Sequence, residues 1–123
     1  MIRHIAFTLY PVTDMARARR FYEETLGLRL TRREAHEFEW VEYDLDGGTF
    51  ALTNLTEGGA APSADAGGSI AFEVENVDET VEQLRAKGVR VKLEPLSTPV
   101  CRLAVILDSE GNALTLHQVT QPW

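Results

Sequence analysis

The chain has one cysteine, Cys101, in 123 residues. A lone thiol excludes an internal disulfide, so the fold must rest on its core, and a reducing, cytoplasmic compartment is the expectation. Basic charge is scarce as well: 12 Lys and Arg stand against 19 Asp and Glu, a net charge of −7. That balance speaks against a sequence-independent grip on nucleic acid or an anionic membrane, since both need basic patches. It is compatible with attraction of cationic small molecules, and equally with an acidic surface that serves solubility. No apolar run approaches the roughly 18–20 residues of a membrane span, and the start, MIRHIAFTLY, lacks the basic-then-apolar layout of a secretory signal. CxxC pairs, a Ser-His-Asp order and a Gly-rich phosphate loop are all missing; the glycines at 58–59 and 67–68 do not lead a strand into a helix. What is present, 44% hydrophobic and 25% charged residues, is the composition of one globular domain long enough to bury a core.

The organisation is a repeat. HIAF at 4–7 returns as SIAF at 69–72, and FALTNL at 50–55 echoes NALTLH at 112–117. Ile5, Phe7 and Leu9 alternate with His4, Ala6 and Thr8, the period of a strand with one buried face. Thr13-Asp14 then offers a helix cap, Met15, Ala18, Phe21, Tyr22 and Leu26 follow at helical spacing, and Gly27 supplies the stop. LRLTRR, FEWVEYDL and TFALTNL read as three strands, the last two joined at Asp46-Gly47-Gly48. The second half runs in the same order. SIAFEV is a strand, Asn76 or Asp78 caps a helix carrying Val77, Val81 and Leu84, and Gly88 ends it. VRVKLE, CRLAVIL and NALTLHQV are three more strands, with a turn over 108–112. The repeats span about 2–55 and 68–119, with a Gly/Ala/Pro/Ser-rich linker over 56–67, inside a single domain of 1–123. Neither half alone could bury its sheet face.

Three segments resemble the vicinal oxygen chelate superfamily, which includes glyoxalase I, extradiol dioxygenases, fosfomycin-modifying enzymes and bleomycin-binding proteins. PVTDMARARRFYEETLGL (11–28) is similar to its first helix, FEVENVDETVEQLRAKGVRV (72–91) to its second, and LDSEGNALTL (107–116) to its last turn and strand, with Ser109 where Pro is usual. The resemblance implies an α+β fold. Two βαβββ repeats would form a curved, mixed-sheet cup with helices on the outer face, and chains of this length would pair as homodimers. Reaction type does not follow from fold, because this superfamily hosts many chemistries and some members that only bind.

In metal-dependent relatives, His and Glu at symmetric places on the first and last strands of each repeat hold a divalent ion. Carried over, the fourth place is Thr115, its repeat partner is Thr53, and the third is Ser69. The first is His4 if HIAF matches SIAF, with extra residues absorbed by a bulge at Tyr10-Pro11, or Phe7 if counted back from the helix cap; alternation favours His4. Hydroxyls are poor ligands for divalent metals, so the expectation is no metal and no cofactor.

By the same alternation the cup face presents His4, Thr8, Thr53, Ser69, Glu73, Thr115 and His117. His4, Glu73 and His117 are candidates for acid–base work, as a His117–Glu73 or His4–Glu73 couple. The plain alternatives are a solvated His117 near the chain end and a His4 packed at a strand edge. Phe38 and Trp40 share one strand face and would stack on a planar or cationic ligand, or else serve as sheet core or dimer contact. Arg102, alternating against Cys101, Leu103 and Val105, is a candidate anion hook or an exposed arginine; Cys101 reads as core. The favoured function is a metal-independent small-molecule binding protein of the bleomycin-resistance type, taking a cationic or aromatic ligand. The alternative is a glyoxalase-like lyase or dioxygenase with a non-standard metal or a metal-free acid–base site at His4, Glu73 and His117. A non-catalytic dimer acting as a protein partner is the third reading.

Overall fold

The computed structural model describes residue 1, residues 3–55 and residues 61–121. Two compact units emerge, Met1–Pro62 and Ser63–Trp123, each with the element order β-α-β-β-β. Part of the expected linker, residues 56–60, lies outside the described residues. Among the described residues no helix is long and apolar enough to cross a membrane.

The first unit comprises β1 (Thr8–Pro11), α1 (Met15–Arg19) running on as a π-helical turn (Arg20–Thr25), β2 (Arg32–Ala35), β3 (Glu39–Leu45) and β4 (Gly48–Thr53). Its sheet has the order β1-β4-β3-β2, with β1 parallel to β4 and the other pairs antiparallel. Asp14, held extended, accepts the Arg17 amide at 3.0 Å and starts the helix. The wide turn follows from consecutive buried aromatics. Leu26 N–H reaches back five residues to the Phe21 carbonyl at 2.9 Å, and Phe21 and Tyr22 are both buried. The Tyr22 ring meets Phe50 at 5.1 Å and Tyr43 at 6.1 Å, and Tyr10 meets Phe50 at 5.3 Å, an aromatic core between helix and sheet. Tyr43 Oη donates to Glu23 Oε2 at 2.9 Å, and Arg19 Nε donates to the same oxygen at 2.7 Å. Burial, and then the Glu23 carboxylate, push the Tyr43 phenol upward. For Glu23 burial opposes ionisation, but the hydrogen bonds from Arg19 and Tyr43 outweigh it and hold the carboxyl below its usual range.

The second unit comprises β5 (Ile70–Glu73), α2 (Val77–Ala86), β6 (Val91–Ser97), β7 (Cys101–Leu107) and β8 (Ala113–Val119), in the sheet order β5-β8-β7-β6. Asn76 caps α2, accepting the Glu79 amide at 3.0 Å, and Gly88, at φ +86°, ends it. The core is aliphatic: Val77, Val81 and Leu84 from the helix with Ala104, Ile106, Leu114 and Leu116 from the sheet.

Three expectations need correction. The first strand does not start at His4. It occupies Thr8–Pro11 and pairs in register with Phe50–Thr53, without a bulge. Proline is accommodated because β1 is an edge strand. Tyr10, not Phe7 or Leu9, is the residue buried toward the helix, which turns Thr8 to the helix side and leaves Phe7 and Leu9 exposed on the opposite face. The expected strand over 28–33 becomes Arg32–Ala35, because Leu28 N–H is taken by the Tyr22 carbonyl at 2.8 Å in closing the helix. On β7, Ala104 and Ile106 are the fully buried residues, so Arg102 shares the helix-side parity and Leu103 and Val105 the other.

Candidate functional site

On β3 the buried Val41 and Tyr43 face the helix of the first unit, so Trp40 and Glu42 project from the opposite, open face. The antiparallel ladder sets Arg32 opposite Glu42 and Glu34 opposite Trp40. With His36 and Phe38 these residues line a groove of about 320 Å³. Trp40 Nε1 donates to Glu42 Oε2 at 2.7 Å, and the Phe7 ring meets the indole edge-on at 5.1 Å, so the ring plane is set from two sides. Arg32 donates to Glu34 Oε1 at 2.7 Å, a bond that, with the guanidinium charge, holds the Glu34 carboxyl below its usual range. Aromatic walls beside two carboxylates and one exposed guanidinium can bind a flat organic molecule and discriminate its charge.

In the second unit the parallel β5–β8 ladder pairs Glu73 with His117. Their side chains meet at Nδ1···Oε1 2.5 Å, while the second carboxylate oxygen accepts the Val119 amide at 2.9 Å. The pair stands opposite the α2 side: neighbouring Gln118 reaches that helix, its Oε1 accepting the Val77 amide at 2.9 Å. The hydrogen bond from His117, then that from Val119, holds the Glu73 carboxyl below its usual range. An imidazole fixed by a carboxylate is an arrangement able to accept and return a proton.

The remaining candidates fall elsewhere. His4 lies in an exposed bend ahead of β1, and Thr8 is half-buried on the helix side. The Thr53 hydroxyl, buried, donates to the Glu39 carbonyl at 3.0 Å and accepts the Leu55 amide at 3.1 Å, so it closes a strand end. Ser69 is exposed just before β5, and Thr115 is half-buried on the Glu73 face. Arg102 is not an inward anion hook: its Nε and second nitrogen bind Asp78 at 2.5 and 2.8 Å at the start of α2, and its third bonds Ser97. Cys101 is buried, with its sulfur 3.1 Å from the Thr98 hydroxyl. Sequence reasoning placed His36 on the face of Phe38 and Trp40 but missed Arg32, Glu34 and Glu42. Glu42 was within reach through its parity with Trp40, whereas the β2 residues depend on a register that only the fold supplies.

The ladders also shift the repeat alignment. Val12 N–H bonds the Thr53 carbonyl and Val74 N–H bonds that of His117, so Thr53 corresponds to His117 and not to Thr115. The echo of Ala-Leu-Thr is therefore two residues out of step with the ladders, Ala51 rather than Thr53 standing where Thr115 does. The β1 and β5 ladders likewise match Phe7, not His4, with Ser69, three residues away from the HIAF/SIAF echo. The implied metal places therefore hold the Phe7 phenyl ring, the Ser69 hydroxyl and, on the last strands, either Ala51 with Thr115 or Thr53 with His117, a set with at most one imidazole and no carboxylate. This set does not fit a divalent cation, which asks for imidazole, carboxylate or thiolate. Among the described residues no three His, Cys, Asp or Glu gather as a metal would need.

The family model of the Glyoxalase/Bleomycin resistance protein/Dioxygenase superfamily matches residues 2–116. The chain belongs to this superfamily. Two four-stranded mixed sheets with few helices form its α+β architecture, the glyoxalase/bleomycin-resistance fold. Within the superfamily, the chain is similar to a probable chloroplastic lactoylglutathione lyase of Arabidopsis thaliana, 32% identical over 101 residues. The match takes in 76% of this chain but 29% of the lyase, so the chain spans under a third of that protein. Among solved structures UcmS2 is 25% identical with a TM-score of 0.78, covering 95% of this chain and 98% of its own. TnmS3, an antibiotic binding protein from Streptomyces sp. CB03234, is 25% identical with a TM-score of 0.75, over 97% and 98% of the two chains.

Proposed function

We propose that this superfamily member is a small-molecule binding protein that works without the metal used by many of its relatives, its two repeats serving one domain and the chain pairing as a homodimer in a reducing compartment. The groove beside Trp40 carries this reading. It offers aromatic surface and carboxylates on the open face of a sheet, the lining a planar or cationic organic ligand would require. The net charge of −7 favours the approach of cations. The likeness to an antibiotic binding protein along nearly the whole of both chains supports ligand binding over catalysis. A panel of flat cationic and neutral compounds, followed by melting temperature, tests it. A ligand present at one hundred times its Kd stabilises the native state by about 2.7 kcal/mol, which raises Tm by on the order of 10 °C. Absence of any shift across the panel at high concentration would sink this function.

A second reading rests on the Glu73–His117 pair. The 2.5 Å contact supports a metal-free acid–base enzyme in which the carboxylate orients the imidazole. The relative named as a lactoylglutathione lyase suggests the reaction to try first. Turnover that survives chelation and disappears in His117→Ala would establish this reading. Turnover that needs added metal, or that persists in His117→Ala, would end it.

A further inference from the structure

We propose that the groove on β2 and β3 selects a planar, delocalised cation, a guanidinium or amidinium on an apolar body, and that Arg32 is a built-in competitor for the same place. The inference rests on the ligand-binding reading above and adds the charge and shape of the ligand. Its basis is that a guanidinium already lies in the groove. Arg32 and Glu34 bond at 2.7 Å with side chains 57% and 47% exposed, so the pair is open to exchange with a solute, and an exposed pair of this kind resists displacement only weakly. Glu34 stands across the ladder from Trp40, and Glu42 across from Arg32. The two carboxylates against one arginine leave the groove acidic, and a flat cation suits both its features. The indole face attracts a delocalised positive charge, and a carboxylate receives a planar fork of N–H donors better than it receives a compact ammonium. Glu42 takes part indirectly, by holding the Trp40 indole N–H at 2.7 Å with Phe7 against the ring, so the aromatic wall is set before any ligand arrives. Phe38, 37% exposed, supplies apolar surface for the body of the ligand.

Benzamidine and benzamide, nearly equal in shape and different in charge, separate the parts of this proposal by titration calorimetry. Benzamidine is expected to bind about tenfold more tightly than benzamide. Glu34→Gln should remove most of that preference while leaving benzamide unaffected, and Arg32→Gln should strengthen benzamidine binding several-fold by freeing Glu34. Both substitutions lie on exposed strand positions, and unchanged melting curves would certify their folds. Equal binding of the two probes, lost in Trp40→Ala, would overturn the charge selection and leave the groove as the ligand site. The selection would equally fall if Arg32→Gln weakened benzamidine binding. Benzamidine binding that is unaltered in Trp40→Ala, or no binding of either probe at millimolar concentration, would overturn the groove reading itself.

Discussion

The two units share one plan and fill it differently. Both begin with a parallel edge strand, both start a helix with a side-chain cap, Asp14 or Asn76, and both stop it at a glycine with positive φ, Gly27 or Gly88. The first buries tyrosine and phenylalanine between helix and sheet, the second valine, leucine and isoleucine. The open faces diverge further. At the equivalent rung of the parallel ladder the first unit has Pro11 opposite Thr53, and the second has Glu73 opposite His117. The first unit shows that this backbone needs no ionisable pair at that rung. Glu73 and His117 are therefore not demanded by the shared backbone plan, and side chains of this kind are where function is to be sought.

Removing an aromatic from the first core gives the largest expected effect. Tyr22 is fully buried, touches Phe21, Tyr43 and Phe50, and is the side chain that the wide helical turn presents to the sheet. Tyr22→Ala should cost about 3–5 kcal/mol by denaturant titration, whereas Ile106→Val, its aliphatic counterpart in the second core, should cost about 0.5–1.5 kcal/mol. Equal losses from these two would mean that the contrast between aromatic and aliphatic cores has no energetic content.

Element order and helix caps were legible because they rest on local rules: a polar N-cap, apolar spacing of a helix, glycine after the last turn. The α2 cap at Asn76 and the whole of β7 fall where the pattern puts them. The first strand was not legible. HIAF resembles SIAF in letters, yet the pairing starts at Thr8, and the buried residue is Tyr10, whose proline neighbour suggested a bulge. Alternation alone carries no sign, since either parity of an apolar strand can face the core. On β7 the same ambiguity assigned Arg102 to the wrong face, and only the packing of Ala104 and Ile106 resolves it. Of the site, Phe38 with Trp40 and Glu73 with His117 follow from parity. Arg32 and Glu34 do not, because the register of β2 is fixed at a distance by the wide turn and by Thr31, whose amide and hydroxyl both bond the Glu42 carbonyl.

The smallest expected effect concerns Glu73, where solvent decides the magnitude and linkage the direction. Its carboxyl titrates below the ordinary 4.5, chiefly through the hydrogen bond from His117 and secondarily through the Val119 amide. A carboxyl whose folded value is depressed adds stability above the unfolded value and loses it as pH falls through the folded one. The gain should thus be whole near pH 6 and fade below about 4.5. With 56% of the side chain exposed, screening limits it to under about 1 kcal/mol. Glu73→Gln should match the parent at pH 3 and melt slightly earlier at pH 6, whereas substituting the buried Thr53 at the matching rung should leave the pH profile of stability unchanged. A Glu73→Gln melting curve that tracked the parent at both pH values would show that the pair contributes nothing measurable to the stability of the fold.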